Sequence, residues 1–144
     1  GLYILFQRTI PYPQLMTFDA PDSLLPCSRR ERSTTPLQAL NLLNDPVFFE
    51  AAQGLALRVL REAPASLSAR IDYAFQLCLA RTPTADEKER LEKYYREQKE
   101  MLDIKAKEAL FPARSLEGID TEEAAVWSLV ASVLLNLDDF ITRG

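Results

Sequence analysis

Between Ala124 and Leu137 the chain reads AAVWSLVASVLLNL, and winding this run as a helix leaves almost no polar face. About 14 such residues are too few to cross a bilayer, which takes about 20. The run is therefore expected to be a buried helix, entered through a cap at Asp120 and Glu123, with other elements packed around it. The prolines say what those elements are. Nine prolines against four glycines argue against strands and tight turns and mark the joints between helices.

Thr35, Pro36 and Gln38 make a helix start. The threonine oxygen accepts from a backbone N–H two or three residues on, and Gln38 reaches back to complete a capping box. Pro36 sacrifices no bond at the first helical position. Asp45-Pro46 repeats the signal. The spacing predicts a short helix from Pro36 to about Leu43 and a longer one from Pro46 to about Arg61. Leu37, Leu40, Asn44, Phe48, Ala51, Leu55 and Val59 form their inward face. Ser68 is expected to cap a helix carrying Ile71, Phe75, Cys78 and Leu79. Thr84 with Glu87 then opens a charged helix from about Ala85 to Ala109. Its apolar stripe is narrow: Leu91, Tyr94 or Tyr95, Gln98, and Met101 or Leu102. The tyrosines read as packing rather than as a platform for a sugar ring. Phe111 to Gly118 reads as a connector.

Upstream, Pro11, Pro13, Pro21 and Pro26 predict an irregular strap, plugged into the core by Leu15, Met16 and Phe18. The abrupt apolar opening GLYILF, with no start signal ahead of it, reads as a cut from a longer protein. The fold expected for residues 1–144 is a single all-α domain. Residues 36–144 form an orthogonal or up-down bundle of about five helices, and residues 1–35 an extended, proline-rich strap.

The composition excludes several chemistries. With 17 basic and 21 acidic residues the net charge is −4, so bulk attraction to nucleic acid or anionic lipid is not expected. There is no histidine, and the two cysteines form no CxxC. The usual structural zinc sets, a CxxCH haem attachment and a histidine base for a serine or cysteine nucleophile are all missing. This stretch is expected to hold no metal and no cofactor, and it leans away from catalysis. Cys27 and Cys78 read as small buried hydrophobes, Cys27 buried and reduced.

The segment FDAPDSLLPCSRRERSTTPLQALNLLND carries the remaining signal, and two readings stand. In one, Arg29, Arg30 and Arg32 with Thr34 and Thr35 bind an anion at a helix N-terminus, such as the sulfate or carboxylate of a glycan. In the other, the segment is a structural clasp of Asp19, Asp22, Cys27, Arg29, Arg30, Arg32, Gln38, Asn44 and Asp45. There the arginines pair with Asp19, Asp22 and Glu31, and Asn136, Asp138 and Asp139 reach the strap from the chain's other end. A third reading takes Asp19 and Asp22 as a general acid and base or as ligands for a hard cation. Two acids three residues apart in a loop more often cap or pair with a base.

The order FDAPD, Cys27, RRERSTTPLQALNLLNDP, RTPTADE and LLNLDDFITR resembles a planctomycete-specific domain of unknown function. That domain closes large secreted proteins with cytochrome c-like domains upstream. The matching positions are Phe18, Asp19, Pro21, Asp22, Cys27, Arg29, Arg30, Arg32, Thr35, Pro36, Gln38, Asn44 and Asp45, and no catalytic residue comes with them. The resemblance implies the C-terminal portion of a multidomain protein, exported to the periplasm or cell surface, with any haem confined to upstream domains. Its implied partners are those upstream domains, with polysaccharide as an outside candidate and neither nucleic acid nor membrane insertion. The leading expectation is a non-catalytic scaffold or interaction module. It predicts a sizeable apolar patch near Gly1 to Phe6 and around the strap.

Overall fold

The computed structural model describes residues 5, 7, 9–21, 25–29, 33–110 and 118–142, without the side chains of Ile104 and Glu108. The all-α class is confirmed. Eight helices form among the described residues: α1 (Pro13–Thr17), α2 (Pro36–Asn44), α3 (Pro46–Glu62), α4 (Leu67–Leu79), α5 (Ala85–Met101), α6 (Ile104–Leu110), α7 (Thr121–Leu135) and α8 (Asp138–Ile141). There is no strand among them, only an isolated bridge between Gln7 and Ile10. The chain divides into two compact units, residues 1–41 and 42–144. The division falls inside α2. The connector expected from Phe111 lies, up to residue 117, outside the described residues, as does most of GLYILF.

In the second unit α7 is the centre, with α3, α4, α5, α6 and α8 all packed on it. Ala124, Ala125, Val126, Trp127 and Ser128 are consecutive and all buried, which a helix lying on one side of a core cannot achieve. The Ser128 hydroxyl is satisfied within the helix, donating to the Ala125 carbonyl at 2.7 Å. Around α7 the core collects Ile71, Ala74 and Phe75 from α4 and Leu91 and Tyr95 from α5. The Tyr95 and Trp127 rings lie 5.7 Å apart and tilted by 49°, so Tyr95 is a packing residue.

Three local expectations need correction. The inward face of α3 is Ala52, Ala56 and Val59; of the expected positions Val59 is buried and Leu55 packs partly buried against the core, while Ala51 is exposed and Ala52 takes its place. Alanines here face a helix that is itself alanine-rich, which lets the two backbones close up. The charged helix from Ala85 is two helices. Leu102 turns extended and joins the core, Met101 points out, and Asp103 starts α6 by accepting from the Ala106 amide at 2.7 Å. The cap of α4 is Ser66, which accepts from the Ala69 amide at 3.3 Å, because Leu67 is drawn into the helix by its contact with the core.

The expected caps at Asp45, Thr84 and Asp120 are present. Asp120 accepts from the Glu122 amide at 3.2 Å, while Glu123 goes to Arg70. Lys88 meets Asp72 at 2.6 Å and Lys107 meets Glu122 at 2.7 Å, tying neighbouring helices together at the surface.

Arg81 gathers the ends of α4, α5 and α8. Ala80 ends α4 in the left-handed region, at φ 55°. Just beyond it, the Arg81 guanidinium lies 5.3 Å from the centre of the Phe75 ring. It forks onto Glu87 at 2.9 and 2.7 Å and reaches Asp139 at 2.7 Å. These bonds from Arg81, then the bond from the Thr84 amide, hold the Glu87 carboxyl down at about 2, against an ordinary 4.5. A depressed carboxyl stabilises the fold above its unfolded-state value and loses that contribution as pH falls through the folded value. Glu87→Gln is therefore expected to be less stable than wild type at neutral pH, with the gap closing between about pH 4.5 and about pH 2. The gap is modest, because solvent screens both partners. Denaturant unfolding of the two proteins across that range checks it, and a gap unchanged at the acid end would assign the loss to packing instead.

Candidate functional site

The first unit is built on how α1 ends. Pro13 is tolerated in the first turn, where its missing N–H leaves no bond unmade, so a short helix interrupts the strap that was expected to be irregular. The stop is a Schellman motif with aspartate where glycine is usual. Asp19 is left-handed at φ 55°, its amide donates to the Met16 carbonyl at 3.1 Å, and the Ala20 amide donates to the Leu15 carbonyl at 2.9 Å. Aspartate is among the few residues that enter this region at modest cost.

That turn aims the Asp19 carboxylate at residues 14 and 19 positions further on. The Ser33 amide donates to it at 2.8 Å, and the Ser33 hydroxyl lies 2.9 and 2.8 Å from its two oxygens. The Gln38 side-chain amide donates to the Thr17 carbonyl at 2.8 Å, to Asp19 at 3.2 Å and to the Ser33 oxygen at 3.3 Å. Its own oxygen accepts from the Thr35 amide at 3.1 Å, and the Thr35 hydroxyl accepts from the Gln38 amide at 3.3 Å. The predicted capping box is formed. Gln38 also does more than cap, since it is 1% exposed and every polar atom of its side chain is satisfied.

The residues named from the sequence therefore separate. Asp19, Ser33, Thr35 and Gln38 come together, with the Thr17 carbonyl. Asp45 starts α3 by accepting from the Val47 amide at 2.9 Å, and Asn44 is the last residue of α2. Asp139 belongs to Arg81, whose two carboxylates are both in the second unit. Asp22, Arg30, Glu31 and Arg32 lie outside the described residues. For the anion reading, Thr35 is already occupied by Gln38 and Thr34 is engaged as well, while the neighbouring Ser33 is held by Asp19.

Cys27 corrects the expectation of burial. It is exposed, with its thiol donating to the Arg29 carbonyl at 3.1 Å, while Cys78 is partly buried on α4 and burial pushes its thiol up to about 11. A neutral maleimide is expected to modify Cys27 rapidly in the native protein and Cys78 only on unfolding, because the thiolate is the reacting form. Mass mapping of a timed reaction checks it, and equal rates at the two sites would overturn the assignment.

The sequence reading missed the outward face of α2. Leu37 and Leu40, expected inside, are 60% and 58% exposed, while Gln38 and Leu42 are buried. The helix is turned so that the polar side chain faces inward, where Gln38 finds its three acceptors. Leu5, Ile10 and Leu25 of the same unit are also largely exposed. From Ser33 to Asn44 there is no charged residue, so no charge keeps the leucine face of this helix wet.

A family model described as PSD1, protein of unknown function (DUF1553), matches residues 1–95. No curated protein and no solved structure matches the chain.

Proposed function

Because the chain belongs to the PSD1 family, proteins of unknown function, we propose a role from the geometry of its first unit: a non-catalytic docking module. The observation that carries this is the α2 face, where Leu37 and Leu40 stand one turn apart and exposed. Isolated surface leucines are ordinary, but neighbouring ones on an uncharged helix mark a surface that gains by being covered. Gln38 supports the same reading from beneath, since its buried network holds α2 in the one rotation that turns the leucines outward. The occupied donors at Ser33 and Thr35 favour docking over capture of an anion.

The occupant in this reading is another domain of the same polypeptide. The resemblance to a planctomycete domain that closes exported proteins supports it, and with it a periplasmic or cell-surface setting. Any c-type haem in such a protein would be attached to its other domains, because this chain has no CxxCH.

Side-chain footprinting of the full-length polypeptide against residues 1–144 alone tests the proposal. Leu37 and Leu40 are expected to be shielded only in the longer protein, and the double variant Leu37→Glu, Leu40→Glu to lose that shielding while keeping its helical content. Burial of the two half-exposed leucines is worth about 2–3 kcal/mol, so docking should weaken roughly a hundredfold. Equal labelling of both leucines in the two proteins would overturn it.

A further inference from the structure

We draw no further inference here: the strongest candidate, the exposed apolar face of α2 that carries Leu37 and Leu40, belongs to the docking surface already described, and nothing in the structure shows what covers it.

Discussion

Trp127→Ala is expected to cost the second unit about 3–5 kcal/mol, the range for removing a large aromatic side chain from a packed core. Trp127 is 1% exposed, sits on the helix that every other long element of its unit touches, and is the partner of the Tyr95 ring. Small domains have a total stability of about 5–15 kcal/mol, so the variant should be close to unfolding at physiological temperature. The chain has a single tryptophan, which makes far-UV circular dichroism during urea unfolding the right readout. Trp127→Phe keeps a ring beside Tyr95 and should fall between the two. Leu37→Ala, on the exposed face of α2, should change stability by about 0.5 kcal/mol or less. A loss below about 1 kcal/mol for Trp127→Ala would mean that the second unit is not organised around α7, because a core side chain cannot be removed that cheaply.

α7 was legible because its evidence is local and redundant. Ala124 to Leu137 leaves almost no polar face, and no neighbour needs to be known to conclude that such a helix is surrounded. The caps at Asp45, Thr84 and Asp120 were legible for the same reason: each bonds within two or three residues. The rotation of α2 was not. Hydrophobic spacing ranks Leu37 above Gln38 for the inward place, yet Gln38 occupies it. What decides the matter is a carbonyl 21 residues away and a carboxylate 19 residues away, and sequence spacing carries no trace of either. Asp19 is hidden for a related reason: a helix stop in the left-handed region is read from glycine, whereas an aspartate ahead of three arginines reads as an acid in search of a base. The splitting of α5 from α6 had a readable signal in Asp103, which the continuing run of charged residues concealed.

Gln38→Ala is the change expected to open the first unit. It removes the donor to the Thr17 carbonyl, Asp19 and Ser33 and the acceptor for the Thr35 amide. The groups left behind are partly buried, and each such group left without a partner costs roughly 1–3 kcal/mol. Because the chain divides into two compact units, the loss should be local. Amide exchange at Ser33 and Thr35 should speed up by about one to two orders of magnitude, at 1.4 kcal/mol per factor of ten, while Val126 to Leu134 in α7 keep their protection. Gln38→Glu separates hydrogen bonding from volume. It keeps the shape and the acceptor but replaces the donor with a second carboxylate 3.2 Å from that of Asp19, so at neutral pH it should be more damaging than alanine. Acidification should restore part of the loss, as the two carboxyls come to share a proton. If Gln38→Glu behaves like wild type at neutral pH, the donor bonds do not hold the clasp. If exchange in α7 rises in step with Ser33, the two units open as one, and the leucine face of α2 depends on the whole fold rather than on the network beneath it.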